Sequence, residues 1–390
     1  MKKKWILLGV LAVLVPGALI AGEVASSRVE RRLNKVSRKT PYKATKSGAA
    51  LHSRLWIADL HADALLWNRN LNERTDVGHV DVPRLIEGNV ALQIFGVVTH
   101  ASANDSVEKN DGSADDIRLL AMAQRWPPST WGSRKARALY QAQKLADFAE
   151  DSEGKLAFIR TRQDLERFLA EREKDKNRVA GLLGLEGMHA LEGRVEAVDE
   201  LHEAGFRVLG FAHFFDNEMS GSAHGVKKEG LSERGRAVVK RMEEKGMTID
   251  LAHASQKTIS DVLAIATKPI LVSHTGVKGT CNNNRNLRDD QLQAIARNKG
   301  VVGIGYWSTA TCGTNAKAIA KAIRHAVGVA GADHVGLGSD FDGTVTTPFD
   351  TAGLVELTDA LLAEGLGEGE IRKIAGENAL RVLRANLPPE

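Results

Sequence analysis

The sequence is poor in cysteine and carries little excess charge of either sign. Only two of its 390 residues are Cys, so one intramolecular disulfide is the most that it can form. The formal net charge is +4, but residues 1–47 hold eleven Lys and Arg against two Glu, which leaves about −5 for residues 48–390. A folded part without basic excess argues against nucleic acid as the main partner, because phosphate binding needs a basic face.

The sequence also lacks the composition of a disordered chain. Hydrophobic residues make up 43% and charged residues 26%, which is typical of a globular protein. The 37 glycines suit a fold with many tight junctions between strands and loops. A length of 390 residues suggests two or three domains, but α/β barrels of this size are commonly a single domain.

The N-terminus carries a basic start followed by an uncharged apolar run from Trp5 to Gly22. This pattern predicts a signal peptide or a membrane anchor over residues 1–22. The absence of a small-x-small cleavage site favours an uncleaved anchor, whereas Pro16-Gly17 favours a signal peptide. Residues 23–50 are then expected to form a basic polar linker next to the membrane.

The side of the membrane is ambiguous from charge. Six basic residues lie between Arg28 and Lys39, against three before the apolar run. A simple positive-inside count places the C-terminal domain in the cytoplasm. The two cysteines, considered below, favour the opposite side.

Eight short apolar runs recur after residue 51, most of them separated by amphipathic stretches. They are Leu55–Leu60, Val90–Val98, Val179–Leu185, Arg207–Ala212, Met247–Ala252, Pro269–Ser273, Val301–Tyr306 and His334–Ser339. Runs rich in Val, Ile, Leu and Gly without alternation are typical of strands buried on both faces of a parallel sheet. Eight strand–helix units predict an α/β fold, a (β/α)8 TIM-type barrel, over residues 51–390.

The gap between the second and third runs is too long for one crossover connection. Its stretches Asp115–Gln124, Ser133–Ala149 and Arg162–Lys174 have helical patterns. We therefore expect a helical insertion at about residues 100–178 rather than a long loop.

Polar residues with metal-binding or acid–base chemistry follow six of the eight runs. They are His61 and Asp63 after the first, Glu186 after the third, then His213, His253, His274 and Asp340 after the fourth, fifth, sixth and eighth. Barrel active sites lie at the carboxyl ends of the strands, so these side chains are expected to converge.

The residue types suit two divalent ions, because imidazole and carboxylate are ligands of borderline metals such as Zn2+. His61 and Asp63 can reach one ion, and His253 and His274, which end neighbouring strands, can hold another. Glu186 can bridge them. Two ions roughly 3.5–4 Å apart can together generate a hydroxide and polarise a carbonyl.

Each of these residues also has a plain structural explanation. A single histidine at a strand end is more often a hydrogen-bonding residue than a ligand, whereas a carboxylate that ends an apolar strand, as Glu186 does, needs a partner or a metal. Asp59 and Asp250 are interpreted as supporting residues. The remaining histidines are interpreted as surface or structural: His52, His79, His100, His189, His202, His224, His325 and His334.

These motifs, taken together, resemble the membrane dipeptidase (renal dipeptidase) family of metallopeptidases from about residue 52 to 385. The matching stretches are Asp59–Asp63, Gly184–Gly187, Leu209–His213, Gly230–Ser232, Ile249–His253, Ser273-His274, Arg285–Asp290 and Gly338–Gly343. Each motif is short, but their order and spacing are specific. Met188 and Lys227-Lys228 depart from the family's pattern and put the shape of the pocket in doubt.

The resemblance implies two zinc ions per chain and a set of residue roles. One zinc would lie on His61, Asp63 and Glu186, and the other on Glu186, His253 and His274. Asp340 would shuttle the proton of a hydroxide that bridges the metals, His213 would steady the tetrahedral intermediate, and Arg285 would bind the substrate's terminal carboxylate. Asn286 and Tyr306 are further candidates for substrate contact.

Some members of the family carry a disulfide in the loops after strands six and seven, where Cys281 and Cys312 lie. The resemblance therefore predicts this bond, with two reduced buried cysteines as the alternative. Because disulfides persist in oxidising compartments, we expect the domain on the periplasmic or extracellular face, anchored through the N-terminus or secreted if the segment is cleaved.

The expected function is that of a zinc-dependent dipeptidase acting on small dipeptides. A homodimer is one expected assembly, since family members often dimerise. One alternative is a barrel metallohydrolase acting on another amide, an ester, a lactone or a β-lactam. A second is a non-catalytic, membrane-tethered binding protein, which the complete ligand set and Asp340 disfavour.

Overall fold

Eight parallel strands close into a barrel in the computed structural model, which describes residues 26–38 and 40–390. The strands are β1 (Ile57–Ala62), β2 (Val90–Val98), β3 (Val179–Glu186), β4 (Phe206–Gly210), β5 (Thr248–Asp250), β6 (Leu271–Thr275), β7 (Val301–Ile304) and β8 (Val335–Leu337). Each strand pairs with its neighbours in the chain, and β8 pairs with β1 to close the ring. The predicted (β/α)8 TIM-type barrel is confirmed.

Helices surround the barrel on its outer face. After residue 40, those of seven or more residues are Lys46–His52, Asp116–Ala123, Arg134–Asp151, Arg162–Lys174, Ala197–Glu203, Glu233–Glu244, Gln256–Ile265, Asp289–Arg297, Ala316–Ala330, Leu354–Ala363 and Asn378–Asn386. Most begin at a residue whose side chain accepts a hydrogen bond from the first turn, as Ser232 does from the backbone N–H of Gly235. Their apolar stripes pack on the strands, which are buried on both faces.

The region expected as a helical insertion over 100–178 contains three helices and one unexpected strand. Leu156–Phe158 pairs in parallel with β3 and adds a short strand outside the closed ring. A three-residue strand between helices gives too few positions for a periodic signal, which is why the sequence pattern did not predict it.

The segment expected to be a basic polar linker is folded against the barrel, which corrects that expectation. Residues 26–33 are helical, and Lys35–Val36 pairs in parallel with Thr346–Thr347. Ser26, Glu30 and Asn34 are only 4–5% exposed although all three are polar. A buried face made of polar residues has no apolar periodicity, so the sequence pattern resembled a solvated linker.

The predicted signal peptide or membrane anchor over residues 1–22 lies outside the described residues. Across residues 26–38 and 40–390, no helix combines the length and the hydropathy that crossing a bilayer requires.

Candidate metal centre and active site

The residues singled out in the sequence meet at the carboxyl end of the barrel. His61, Glu186 and His274 lie in the last residues of β1, β3 and β6. His213, His253 and Asp340 each lie three residues beyond the ends of β4, β5 and β8. His253 and Asp340 both have a φ of +60°, a left-handed conformation that non-glycine residues rarely adopt. Such backbone is concentrated at functional sites, where the surrounding structure holds it in place.

The carboxylate of Glu186 lies at the centre of this group. Its Oε1 is 3.1 Å from His253 Nε2 and 3.2 Å from His274 Nε2. Its Oε2 is 3.6 Å from His61 Nε2 and 3.5 Å from His213 Nε2. The two oxygens therefore face two different pairs of imidazoles, which is the arrangement of a carboxylate that bridges two ions.

Asp63 completes the first side of the site. Its Oδ1 lies 3.3 Å from His61 Nε2. Gly96 on β2 makes room for both side chains, because a Cβ at this position would lie 2.5 Å from Asp63 Oδ1 and 2.6 Å from His61 Cε1. Donor atoms of His61, Asp63 and Asp340 all lie within 4.8 Å of one another. Asp340 thus faces the group from the loop after β8.

The site has the chemistry of a metal centre that the protein alone leaves unsatisfied. His61 Nε2, Asp63 Oδ1 and Glu186 Oε1 are buried and have no hydrogen-bond partner. A buried polar atom without a partner carries a desolvation cost that a metal ion would offset. Imidazole nitrogens and carboxylate oxygens are the donors that Zn2+ and similar ions take. The residues present therefore fit one or two divalent cations.

The protonation states of two histidines fit the same interpretation. Burial lowers the pKa values of His253 and His274 well below the usual value, so both rings are neutral and have a lone pair to offer. Burial by itself would raise the pKa of Glu186, but His213 and His61 outweigh it and hold the carboxyl well below its usual range. Burial raises the pKa of Asp340 well above that of an ordinary aspartate.

Asp250 orients His274 through a serine. Its carboxylate accepts hydrogen bonds from the Ser273 backbone N–H at 2.8 Å and from the Ser273 hydroxyl at 2.6 Å. Because the Ser273 hydroxyl donates its hydrogen bond to Asp250, Ser273 Oγ accepts a hydrogen bond from His274 Nδ1, which lies 2.9 Å away. This places the ring proton on Nδ1 and leaves Nε2 free to bind a metal.

Asp59 holds the loop that carries Asp340 in an analogous way. Its carboxylate accepts from the Ser339 backbone N–H at 2.8 Å and from the Ser339 hydroxyl at 2.5 Å. The backbone N–H of Asp340 donates to His61 O at 3.2 Å. The loops that end β1 and β8 are therefore joined next to the candidate metal ligands.

Arg285 places a buried guanidinium at the edge of the site. Its Nη2 donates to the His274 carbonyl at 2.8 Å and lies 3.1 Å from His253 Nε2. Its Cζ lies 5.3 Å from the centre of the Trp307 ring, within range of a cation–π contact. A guanidinium in this position can bind an anionic group of a ligand that also reaches Glu186 and the histidines.

His213 stands on the other side of Glu186. Its Nδ1 is 3.3 Å from the carbonyl of His100, so Nδ1 carries a proton and donates it. Nε2 then donates a hydrogen bond only when the ring is protonated. Donor atoms of Glu186, His213 and His253 lie within 4.8 Å of one another, so the structure also brings His213 within ligand distance of a metal.

Two predicted substrate contacts are placed elsewhere by the structure. Tyr306 is 1% exposed and packs its ring at 5.5 Å from that of Phe341, in the core. The Asn286 amide donates to the carbonyls of Cys281 at 2.7 Å and Ala310 at 3.0 Å, which ties two loops together. β7 ends at Ile304, and the next ring along, Trp307, is the one that faces Arg285 and His274. Nothing here tests contact with a substrate, so the roles of Tyr306 and Asn286 stay predictions.

Three histidines that the sequence left as surface or structural are buried close to the centre. His100, His189 and His224 are 3%, 0% and 0% exposed. The ring of His224 lies 5.1 Å from that of His253, and burial lowers its pKa to about 3. The sequence signal that could have placed these three histidines near the site was their position in the loops after β2, β3 and β4, since the loops at the carboxyl ends of barrel strands border the active site.

A cavity of about 810 Å3 opens among the loops after β2 to β5. Its lining includes Arg134, His189, Phe215, Lys227 and Lys257. Lys227, one of the departures noted in the sequence, is part of this wall, whereas Met188 is fully buried in the core.

Cys281 and Cys312 form the predicted disulfide, with their Cα atoms 5.2 Å apart. The bond joins the loop after β6, which carries Arg285, to the short helix Ser308–Thr311 after β7. It therefore fixes the wall of the site that holds the guanidinium.

Comparison with known proteins matches most of the chain. A family model described as membrane dipeptidase (peptidase family M19) matches residues 46–387. Dipeptidase aclJ of Aspergillus oryzae is 28% identical over 354 residues, covering 85% of this chain and 78% of its own. An uncharacterized dipeptidase of Schizosaccharomyces pombe is 31% identical over 322 residues, covering 78% of this chain and 72% of its own.

Solved structures share the fold. The probable dipeptidase PvdM from Pseudomonas aeruginosa superposes with a TM-score of 0.72 at 18% identity, covering 87% of this chain and 97% of that one. A metallopeptidase from Rhodobacter sphaeroides, solved with a phosphinate mimic of the dipeptide L-Ala-D-Ala, has a TM-score of 0.69 at 25% identity, covering 85% and 99%.

Proposed function

The chain belongs to the membrane dipeptidase family of metallopeptidases, and from this premise we propose that it is a dipeptidase that works with two zinc ions. The observation that carries the proposal is the position of Glu186, whose two oxygens face His253 and His274 on one side and His61 and His213 on the other. Bound zinc would polarise the peptide carbonyl and lower the pKa of a water molecule so that hydroxide forms at neutral pH.

Five residues would hold the metal ions. His61 and Asp63 form one end of the ligand set, His253 and His274 form the other, and Glu186 lies between them. Asp250 and Ser273 keep the His274 lone pair directed towards Glu186. The spacing of the five donors supports two ions, and their type supports zinc.

Asp340 is the proposed proton carrier. It faces His61 and Asp63 from the loop after β8, and burial raises its pKa well above that of an ordinary aspartate. It accepts a proton from the attacking water and delivers it to the leaving amine. The hydrogen bond from the Asp340 backbone N–H to the carbonyl of His61 fixes the position of the Asp340 backbone, and so the place from which its carboxyl group exchanges the proton.

Arg285 and His213 bind the substrate on opposite sides of Glu186. The Arg285 guanidinium receives the terminal carboxylate of a dipeptide, and this limits the substrate to one residue beyond the scissile bond. His213, whose Nε2 faces Glu186, stabilises the oxyanion that develops on the attacked carbonyl by hydrogen bonding. The Rhodobacter sphaeroides relative was solved with an L-Ala-D-Ala mimic, so a dipeptide with a C-terminal D-residue is the first substrate to try.

The proposal is tested with the purified full chain. The metal content is measured after zinc reconstitution, and hydrolysis is followed for L-Ala-L-Ala, L-Ala-D-Ala and their carboxamides. Two zinc ions per chain and chelator-sensitive cleavage of the free dipeptides only are the expected results. Two zinc ions without dipeptide cleavage would move the substrate to another amide, a lactone or a β-lactam. A folded chain that binds no metal would refute the proposal.

We also propose that the domain lies on the periplasmic or extracellular face and is held at the membrane through residues 1–22. The disulfide between Cys281 and Cys312 supports an oxidising compartment. Protease added to intact cells and to cells with a permeabilised outer envelope distinguishes this side from the cytoplasm. Protection in both preparations would contradict the proposed location.

A further inference from the structure

The chain that leads into the barrel is bound to the active-site loop through buried polar groups. Ser26, Glu30 and Asn34 are spaced four residues apart, so they share one face of the helical segment 26–33 and the residue that follows it. Each is 4–5% exposed. Their partners, Gln124, Arg69 and the backbone N–H of Thr344, lie in three different parts of the domain. A mere tether would expose these groups to water.

Glu30 acts on the loop after β8 through an arginine. Its Oε1 accepts from Arg69 Nε at 2.6 Å, and Arg69 Nη2 in turn donates to Asp342. Both side chains of the Glu30–Arg69 pair are 5–6% exposed, and that of Asp342 is 0% exposed. Asp342 lies two residues after Asp340, so Glu30 is linked through Arg69 and Asp342 to the loop that carries the proposed proton carrier.

Asp342 is the anchor of that loop. Its carboxylate accepts from the backbone N–H groups of His79 at 2.6 Å and Val80 at 3.3 Å. Burial by itself would raise the pKa of Asp342, but Arg69 and His79 outweigh it and hold the group ionised. An ionised, fully buried carboxylate needs its cation in place, and Glu30 fixes the position of that cation.

The same loop has an unfavourable backbone. Asp340, Asp342 and Thr344 have φ values of +60°, +64° and +60°. Non-glycine residues hold this conformation only where the surroundings fix it. Three such residues in alternation imply that the loop depends on contacts from outside itself.

The leading segment supplies such contacts at both ends of the loop. Asn34 Oδ1 accepts from the backbone N–H of Thr344 at 2.8 Å. Lys35 N–H donates to Val345 O at 3.2 Å, and Ser37 N–H donates to Thr347 O at 2.9 Å. Residues 30–37 therefore fasten the stretch from Asp342 to Thr347 over its whole length.

We propose that residues 26–37 form a positioning segment of the active site, in which Glu30 and Asn34 fix the loop that carries Asp340. This inference rests on the proposed role of Asp340 as proton carrier. The segment does not touch substrate or metal; it sets where the carboxyl of Asp340 lies. Release of the domain from its leader between residues 22 and 26 would preserve activity, whereas cleavage after residue 37 would reduce it.

The test compares Glu30→Ala and Asn34→Ala in the full chain with Arg31→Gln. Arg31 is next to Glu30 on the same helical segment, but it pairs with Asp76 at the surface, where the side chains are 56% and 82% exposed. We measure kcat, KM, zinc content and hydrogen–deuterium exchange. Glu30→Ala should lower kcat roughly tenfold or more, because displacement of a reacting group by about 1 Å is costly, with KM and zinc content unchanged.

Exchange separates this inference from the proposed function. Backbone amides of residues 340–347 should exchange faster in Glu30→Ala and Asn34→Ala, and the Arg31→Gln variant should match the wild type. Unchanged kcat and exchange in both alanine variants, or equal effects in Arg31→Gln, would overturn the inference. If the wild-type chain cleaves no dipeptide, the proposed function fails, but the exchange data still test the positioning by residues 26–37. Faster exchange at 340–347 in the alanine variants then supports it, and unchanged exchange overturns it.

Discussion

The Nε2 atoms of His253 and His274 face each other at 3.1 Å, and both lie within 3.2 Å of the same oxygen of Glu186. Two donors on one tetrahedral ion with bonds of about 2.0–2.1 Å are expected to lie roughly 3.3 Å apart. At this distance two neutral imidazoles either share one N–H···N hydrogen bond or direct both lone pairs at a cation, and the Glu186 oxygen beside both nitrogens favours the cation. The histidine spacing therefore supports a metal ion on this side of Glu186, and it provides the first prediction.

Replacement His253→Ala should lower the zinc content from about two ions per chain to about one, because one ion loses a nitrogen donor. Zinc is measured by mass spectrometry after dialysis against a weak chelator. His325→Ala is the control, since His325 pairs with Asp289 away from the site. An unchanged zinc content in the His253→Ala variant would refute this assignment of the ligand.

Replacement Asp340→Asn should leave zinc binding intact and lower kcat roughly 100-fold or more, because the amide cannot accept and return a proton. Zinc content and steady-state kinetics on a dipeptide decide the matter. Asp333→Asn serves as the control, since this carboxylate pairs with Lys373 on the surface. If Asp340→Asn retains full activity, another group carries the proton.

Replacement Arg285→Ala should raise KM for free dipeptides roughly 10- to 100-fold, since a charge-assisted hydrogen bond to a carboxylate contributes about 1.5–3 kcal/mol. Hydrolysis of a carboxamide analogue should change little. Arg288→Ala is the control, because Arg288 pairs with Asp290 near the same loop. Equal KM values for the Arg285→Ala variant and the wild type would favour a substrate without a carboxylate.

The disulfide should leave the unreduced protein without titratable thiols. It spans 31 residues, and a loop of this size contributes about 3–4 kcal/mol through the entropy of the unfolded chain. The double replacement of Cys281 and Cys312 by Ala should therefore lower the free energy of unfolding in urea by this amount. Two reactive thiols in the unreduced wild type would contradict the disulfide and remove the support for an oxidising compartment.

His52 should make the fold sensitive to acid. Its Nδ1 lies 2.8 Å from the Thr358 hydroxyl and its Nε2 lies 3.1 Å from Gly88 O, so the neutral ring donates from Nε2 and accepts at Nδ1. Burial lowers its pKa from 6.5 to about 4. The unfolded chain therefore binds a proton at higher pH than the folded chain does, and stability falls as pH drops from about 6.5 to about 4, by roughly 3 kcal/mol.

Thermal unfolding of the wild type and of His52→Gln across this pH range measures the effect. The variant should lose less stability than the wild type between pH 6.5 and 4. His325→Gln, which removes a more exposed histidine, should behave as the wild type does. Parallel curves for wild type and His52→Gln would show that another group is responsible for the acid sensitivity.

The barrel was predictable because each strand lies within an apolar run long enough to be distinguished from the helices, even where the strand itself has only three residues, as Thr248–Asp250 has. All eight predicted runs overlap a strand, from Ile57–Ala62 to Val335–Leu337. The metal-binding candidates could be chosen because the carboxyl ends of parallel strands meet at one face, whatever their separation along the chain.

Features that depend on one-residue placement could not be read from the sequence. Tyr306 and Trp307 are adjacent aromatic residues just beyond β7, and only the loop conformation puts the tyrosine in the core and the tryptophan beside Arg285. Asn286 follows Arg285, but its amide turns towards the carbonyls of the neighbouring loop. The helix face formed by Ser26, Glu30 and Asn34 is polar, so it has no apolar periodicity from which its burial could be predicted.

The hydrogen bond from Thr344 to Asn34 joins residues 310 positions apart. Synthesis proceeds from the N-terminus, so residues 26–37 leave the ribosome long before their partner strand exists. The strand Lys35–Val36 therefore stays without its partner strand until Thr346–Thr347 has been synthesised. A nascent chain that stops before Thr344 lacks the contacts that hold the loop carrying Asp340, so the active site is assembled late in synthesis.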